Sequence, residues 1–255
     1  MLCNKCGESN SKSSKYCLKC GATIPKTINV KFIFKEKFND LSFLFFECKY
    51  IKTIDLSPFD AIDVTNMCYM FSECESLESI DFFSFNTSNV TNMRGMFSKC
   101  NSIKSIDLSS FNTRNVIDMS KMFFGCSSIK ILDLTSFNTI NLTNMNQIFA
   151  NCISLKFLYL SSFNTINVSN MGKMFSKCSS LKSLDLSSFN TSNVIDMVAI
   201  FEYCSSLEHL DISLFNTNKV RKTNIKMFLG CNNLKNIKCK DQTILNYFET
   251  RNVFY

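Results

Sequence analysis

Four cysteines near the start of the chain have the residue type and spacing of a metal site. They form two Cys-x-x-Cys pairs, Cys3/Cys6 and Cys17/Cys20, with ten residues between the pairs. Two intervening residues let both thiolates of a pair reach one ion, and the glycine after each pair permits a tight turn. We therefore predict a structural Zn²⁺ held by these four thiolates. Bound iron, or disulfides within unmetallated pairs, are the alternatives.

The segment that carries these cysteines, residues 1–25, is too short to bury a core, so the ion would supply its folding free energy. It resembles the minimal zinc ribbons found at the start of many bacterial proteins. Four thiolates around one Zn²⁺ leave the site negatively charged. Nearby lysines offset that charge, although they could also contact phosphates; they are Lys5, Lys12, Lys15 and Lys19.

The remainder of the chain repeats, and one cysteine marks each unit. The step between marking cysteines is 26 residues until the last, which is 27, so one residue is inserted within 218–224. A period in this range indicates a solenoid, whose units stack on their neighbours instead of surrounding a central core. The marking cysteines are Cys48, Cys74, Cys100, Cys126, Cys152, Cys178, Cys204 and Cys231.

Each unit contains two apolar periodicities. From Val90 to Cys100 the apolar residues fall at helical spacing, whereas from Ile103 to Leu108 they follow the Leu-x-x-Leu-x-Leu spacing of a short strand. This predicts one short helix and one short strand in every coil. Neither element buries its apolar face alone, so the strands of successive coils should form one parallel sheet.

Identical residues of successive units align as columns in such a stack. We predict that the phenylalanine columns pack in the core. The marking cysteines point the same way in every coil and have no unique pairing, so we predict buried free thiols, which favours a reducing compartment. The phenylalanine columns are Phe59, Phe85, Phe111, Phe137, Phe163, Phe189 and Phe215, and Phe45, Phe71, Phe97, Phe123, Phe149, Phe175, Phe201 and Phe228.

The repeat motif is Leu-Asp-Leu-Ser-Ser-Phe-Asn-Thr-x-Asn-Val-x-x-Met-x-x-Met-Phe-x-x-Cys. It runs from Leu184 to Cys204, with Ile200 for the second Met, and from Ile106 to Cys126, with Ile106 for the first Leu. It resembles the repeats of BspA-like bacterial surface proteins, including the 26-residue repeats of mycoplasma lipoproteins. The resemblance implies an α/β solenoid, a leucine-rich-repeat right-handed coil with a parallel sheet on one face and short helices on the other. It also implies a role in adhesion or protein interaction.

These patterns divide the chain into four parts. Residues 1–25 are the zinc ribbon, 26–45 an N-terminal cap, 46–239 the solenoid and 240–255 a C-terminal cap. Apolar residues alternate with other residues from Val30 to Phe34, which predicts a strand that closes the open edge of the first coil.

The strand residues between the buried leucines face outward and form the candidate binding face. Aspartate occupies the central outward position in six of seven coils, and we expect solvent and a parallel lysine column to offset it. A cationic partner is an alternative, whereas calcium is disfavoured because no calcium-loop spacing occurs. An apolar cluster interrupts this polar face, as in many binding hot spots. The predicted partner-binding residues are Ile131, Phe157, Tyr159, Asp107, Asp133, Asp185 and His209, and the lysines are Lys104, Lys130, Lys156 and Lys182.

Composition and charge narrow the function classes. The net charge of +7 sits at the ends, since residues 1–40 carry +5 and residues 218–255 carry +6, whereas 41–217 carry −4. This argues against a continuous phosphate-binding stripe. We predict a protein partner on the concave strand face, with nucleic-acid contact through the ribbon and basic ends as the alternative.

We predict no enzymatic activity. The histidine of the chain, near Asp211 and Ser213, has no nucleophile elbow or oxyanion device beside it, and no phosphate-binding glycine loop is apparent. No apolar run is long enough to span a membrane, and the first residues are too polar for a signal peptide. We therefore expect a monomeric cytoplasmic protein, with the cell surface as the alternative that the resemblance implies.

Overall fold

The computed structural model describes residues 38–57, 59–221 and 226–250 and the backbone of 28–31. It is a parallel β-solenoid of about seven coils, most of which contribute one short strand to the same side. The strands are β1 (Ile28–Lys31), β2 (Ile51–Asp55), β3 (Ser79–Asp81), β4 (Ile131–Asp133), β5 (Phe157–Tyr159), β6 (Ser183–Asp185), β7 (His209–Asp211) and β8 (Asn236–Lys238), and helix α1 spans Gln242–Thr250.

Strand pairing is parallel, and between neighbouring repeats the register is that of equivalent residues. Leu132 of β4 pairs with Leu158 of β5, and Leu184 of β6 pairs with Leu210 of β7. The pairing forms three ladders, β1-β2-β3, β4-β5 and β6-β7-β8. The prediction of one continuous sheet is therefore wrong for the described residues, since residues 105–107 form no strand and β5 does not pair with β6.

The helices predicted on the opposite side of each coil are replaced by consecutive turns in the described coils. In one coil, Met96 N donates to Met93 O (3.2 Å) and Cys100 N to Phe97 O (3.1 Å), which closes two turns. The N–H groups of Gly95, Phe97 and Lys99 instead point along the solenoid axis and donate to the next coil. Phe97 N, for example, donates to Met122 O of the next coil (2.9 Å).

Alternate donation explains why the turns replace the helix. An α-helix satisfies its N–H groups within its own segment and is marginal at this length. The turns instead direct every second N–H to a neighbouring coil, so each coil stabilises the next. This side also carries an uninterrupted parallel ladder of bridges between aspartates and asparagines, Asp40, Asn66, Asn92, Asp118, Asn144, Asn170 and Asp196.

Positive φ angles recur at two positions of these turns. Gly95 (φ 60°) and Lys99 (φ 60°) are the third residues of the turns 93–96 and 97–100, which is the type II pattern. Most coils place non-glycine residues at these positions. Such residues carry a backbone strain of about 1–2 kcal/mol each, which the hydrogen bonds to neighbouring coils offset.

The core is filled by columns of identical side chains, as the repeat predicts. The rings from Phe45 to Phe228 form a continuous stack of eight, with neighbouring centroids 5.3–6.0 Å apart and nearly parallel planes. The second column, from Phe59 to Phe215, is also buried. Methionine and leucine columns occupy the space between the turns and the strands.

The marking cysteines from Cys74 to Cys231 are buried thiols, as predicted, whereas Cys48 is half-buried. Each thiol donates to the carbonyl oxygen of a stacked phenylalanine in the preceding coil; Cys126 Sγ lies 3.1 Å from Phe97 O. Burial raises the pKa of Cys74, Cys126 and Cys178 to about 12. These thiols therefore stay protonated at neutral pH.

The two ends of the solenoid carry different elements. At one end β1 pairs with β2, so a strand does lie at this edge, although it begins before Val30. Coil-to-coil bonding already includes residues 39–45, because Leu41 N donates to Asn66 O (2.8 Å). At the other end α1 begins beside Asp241, whose Oδ1 accepts the Ile244 N–H (3.1 Å), and the Ile244 side chain is buried.

The buried thiols predict a loss of stability at alkaline pH. The folded pKa of Cys126 exceeds its unfolded value of 9.0, so the stabilisation is complete below about pH 9 and is lost as the pH rises toward 12. Thermal unfolding measured from about pH 7 to about pH 11 should give a falling midpoint above about pH 9. Cys126→Ala should make this fall shallower. An unchanged slope would contradict the assignment of the alkaline loss of stability to the buried thiols.

Substitution by alanine at two glycines with positive φ should lower the free energy of unfolding by different amounts. A Cβ on Gly125 meets Lys99 Cγ at an ordinary 3.4 Å, so Gly125→Ala should cost about 1–2 kcal/mol through the backbone alone. A Cβ on Gly95 overlaps the Tyr69 ring, so Gly95→Ala should cost more. Urea unfolding measures both. In a Tyr69→Ala background, Gly95→Ala should cost only as much stability as Gly125→Ala does in the wild type. Equal losses of stability for Gly95→Ala and Gly125→Ala in the wild-type background would contradict the ring overlap.

Candidate partner-binding face

The outward side of the strands brings together part of the predicted apolar cluster. Ile131 and Phe157 are register partners on β4 and β5, and their side chains are 50% and 54% exposed. Tyr159, which is 48% exposed, pairs with Asp133 on the same two strands. Strand alternation places Leu132 and its partner inward, so the three apolar residues share the outer surface. They form one apolar patch on a face whose other outward residues are mostly polar.

The aspartates of this face hold the backbone turns that follow them. In Asp107, Asp133 and Asp185 the Oδ1 atom accepts the N–H of the residue two positions later, at 2.9 Å in each case. The Ser109 and Thr135 hydroxyls also donate, and these bonds hold the pKa of Asp107 and Asp133 below the usual value. The three carboxylates therefore fix the turns that follow residues 107, 133 and 185.

Within the described residues, the lysine column forms no ion pair with the aspartates of the strand face. Among the described residues, Lys104, Lys130 and Lys156 have no acidic group within 4.0 Å. The fourth lysine, Lys182, approaches Glu208 of its own column at 3.9 Å. An aspartate of the strand face, Asp211, forms an ion pair with a different lysine, Lys238, whose Nζ lies 2.9 Å from Asp211 Oδ2.

His209 lies apart from the apolar patch. It pairs with Ser183 on β6 and Asn236 on β8, two coils beyond the Phe157 strand, and it is exposed. Its neighbour Asp211 accepts the Ser213 N–H at 3.1 Å and also binds Lys238. The aspartate is therefore engaged with these groups, and the arrangement supplies no aligned triad.

Phe83 is an outward residue that the predicted site did not include. Its side chain is 86% exposed, and its N–H donates to Asp81 Oδ1 (3.0 Å) in the same turn that holds serine or threonine in most coils. Comparison of equivalent repeat positions would have identified it. Phe83 lies three coils from Tyr159, so it is separate from the apolar patch.

The predicted metal ligands Cys3, Cys6, Cys17 and Cys20 lie outside the described residues. Within the part of the chain that the structure describes, no group of three or more His, Cys, Asp or Glu side chains has metal-binding geometry. The same part contains no helix that is both long enough and apolar enough to cross a bilayer.

Solved structures similar to the chain are bacterial leucine-rich-repeat proteins. One from Bacteroides ovatus is 18% identical, with a TM-score of 0.46 and coverage of 84% of this chain and 69% of its own. A leucine-rich cell surface protein from Faecalibacterium prausnitzii is 19% identical, with a TM-score of 0.40 and coverage of 79% and 62%. The leucine-rich-repeat protein of T. pallidum is 15% identical, with a TM-score of 0.39 and coverage of 62% and 80%.

No curated protein matches the chain. A family model matches residues 39–156 and again residues 118–241, and the two matches overlap within the repeats. Together they take in the solenoid and most of the sequence, and they agree with the resemblance to mycoplasma repeats. The chain therefore belongs to the family described as Mycoplasma protein of unknown function, DUF285.

Proposed function

We propose that the chain is a non-enzymatic interaction protein that binds another protein through the outward face of its strands. The observation that carries the proposal is the exposed, in-register pair Ile131 and Phe157 with Tyr159 beside it. A stack of polar coils has no structural need for these side chains, because the core is already filled by inward residues. Exposed aromatic groups surrounded by charge are typical of binding hot spots.

The charged residues around the patch suit recognition better than catalysis. Asp107, Asp133 and Asp185 are held by backbone N–H groups, so their orientation is set before a partner arrives. Preorganised charge contributes to specificity and to the rate of association. A partner that buries Phe157 and Tyr159 would gain apolar area, and the aspartates would select its orientation.

The double variant Phe157→Ser and Tyr159→Asp should abolish partner binding and leave the free energy of unfolding within about 0.5 kcal/mol of the wild type. Both side chains are exposed, so their loss creates no cavity. Binding is measured by affinity capture from cytosolic and membrane fractions followed by quantitative mass spectrometry. Urea unfolding reports stability.

A matched control is the double variant Ile117→Ser and Ile195→Ser. These isoleucines are 48% and 39% exposed and lie beside the asparagine–aspartate bridges, away from the strand face. The control should capture the same partner as the wild type. A partner that is retained by the strand-face variant and lost by the control would place the binding surface on the turn side and refute the proposal.

We also propose that residues 1–25 bind one structural Zn²⁺ through Cys3, Cys6, Cys17 and Cys20. The support is the paired spacing of the four thiols, and the family match begins only at residue 39, so this segment is an addition to the repeats. A Cys₄ set has no open coordination position, and its function would be to fold the segment.

Metal analysis and a thiol count on denatured protein, purified without reductant, test the zinc proposal. Of the fourteen cysteines, the ten outside the pairs should react as free thiols before the metal is removed. One equivalent of zinc should accompany them, and Cys17→Ser with Cys20→Ser should remove it. Absence of zinc together with few free thiols would mean oxidised cysteines, and would move the search for partners to the cell surface.

A further inference from the structure

The strands and the residues that directly precede them carry three parallel rows of exposed side chains with different chemistry. One is a lysine row, the next is the apolar pair, and the third is an aspartate row that Tyr159 interrupts. All are exposed, and each runs along the solenoid axis from coil to coil. The lysine row is Lys104, Lys130, Lys156 and Lys182; the apolar pair is Ile131 and Phe157; the aspartate row is Asp107, Asp133 and Asp185.

Three lysines of the row are contiguous, and the row has a residue of opposite charge at each end. Lys130 N donates to Lys104 O (3.3 Å) and Lys156 N donates to Lys130 O (2.8 Å), so the backbones of these three lysines are in direct contact. Glutamate replaces lysine at both ends of the row. Glu78 lies 2.7 Å from Lys52, and Glu208 lies 3.9 Å from Lys182.

Like charges on adjacent strands destabilise a sheet, so the centre of this row has an energetic cost. The same column shows how the cost is avoided, because Lys52 and Glu78 form an ion pair between neighbouring coils. Lys130 and Lys156 have no such acid within 4.0 Å among the described residues. Their charge is therefore available to a partner.

The dimensions of the three rows match an α-helix. Coils stack at about 4.8 Å, close to the helical pitch of about 5.4 Å, whereas residues on one side of an extended strand recur at about 6.6 Å. The lysine and aspartate rows are three residues apart along the chain, a span of about 10 Å where the chain is extended, which is close to the diameter of a helix with its side chains. A helix lying along the solenoid axis would therefore meet all three rows at once.

We infer that the partner element is an amphipathic α-helix with an apolar stripe, an acidic stripe on one flank and a basic stripe on the other. The apolar stripe would cover Ile131 and Phe157. The acidic flank would contact Lys130 and Lys156, and the basic flank would contact the aspartate row. A polyanion such as a sulfated polysaccharide matches only the lysine row, and the aspartates would repel it. This inference rests on the proposed function and specifies its partner.

A lactam-stapled helical peptide of about 21 residues, with leucine, glutamate and lysine stripes in this arrangement, serves as the probe. Two further peptides carry glutamate on both flanks or lysine on both flanks. The first peptide, which carries glutamate on one flank and lysine on the other, is called the mixed peptide. Fluorescence anisotropy with the full chain should show that it binds most tightly of the three. Equal or tighter binding of either single-charge peptide would overturn the inference.

The variant Lys130→Glu with Lys156→Glu should weaken binding of the mixed peptide at least about tenfold. Its melting temperature should be equal to or above that of the wild type, because the new glutamates can pair with the remaining lysines as Glu78 does with Lys52. The matched control, Lys121→Glu with Lys173→Glu on the turn side, should change binding less than about twofold. Equal losses in the two variants would contradict a specific contact.

The aspartate row is tested by Asp133→Asn with Asp185→Asn. Asparagine keeps the oxygen that accepts the turn N–H, so only the charge is removed. Binding of the mixed peptide should weaken about threefold or more, whereas the peptide with glutamate on both flanks should bind more tightly. An unchanged preference between the two peptides would exclude a role for this row.

Heparin, a sulfated polysaccharide, tests the competing possibility that a polyanion binds the lysine row alone. Lysine-dependent binding of heparin without binding of the mixed peptide would overturn the helix inference. Failure of all three peptides also overturns it, and the proposed function then stands or falls separately on capture by the Phe157 and Tyr159 variant.

Discussion

The structure depends on the hydrogen bonds that the turn side of one coil makes to the next. Every second N–H from Met93 to Lys99 donates to a carbonyl of the following coil, at 2.6–2.9 Å. The strands form three separate ladders, so strand pairing does not run through the whole stack. A coil on its own would leave these amides unsatisfied, so no unit is stable without neighbours. Equivalent residues of neighbouring coils must lie opposite one another to form these bonds, and this requirement keeps the repeat length nearly constant.

This constraint also explains which side chains recur. Asn92 accepts the Arg94 N–H through Oδ1 (3.0 Å), which fixes the entry to the first turn. Thr113 is 1% exposed and bonds twice to Asn138 of the next coil, once as donor and once as acceptor. Stacked phenylalanines then fill the space that these turns enclose. The polar columns set the register and the aromatic columns supply the buried area.

The sequence predicted the parts of the fold that depend on period and hydrophobicity. The 26-residue step located the coils, and the inward columns of phenylalanine and cysteine were identified correctly. The Leu-x-x-Leu-x-Leu spacing located the strands of most coils, but residues 103–108 have this spacing and form no strand. The helix prediction was wrong because apolar residues at positions such as Val90, Met93 and Met96 also point inward in consecutive turns. Spacing alone does not reveal whether an amide bonds within its own coil or to a neighbour.

The candidate site could be found from the sequence because its residues depart from the repeat at positions that neighbouring coils do not restrict. Positions that make bonds between coils or fill the core are restricted by their neighbours, whereas outward strand positions are not. A departure there, such as Tyr159 where other coils have aspartate, removes an acceptor for the turn N–H and leaves an exposed ring. The lysine row was also visible in the sequence, but its lack of acidic neighbours required the three-dimensional positions of Glu78 and Glu208. In a repeat protein the common residues therefore explain stability, and the exceptions, together with charges that nothing nearby neutralises, indicate where a partner is recognised.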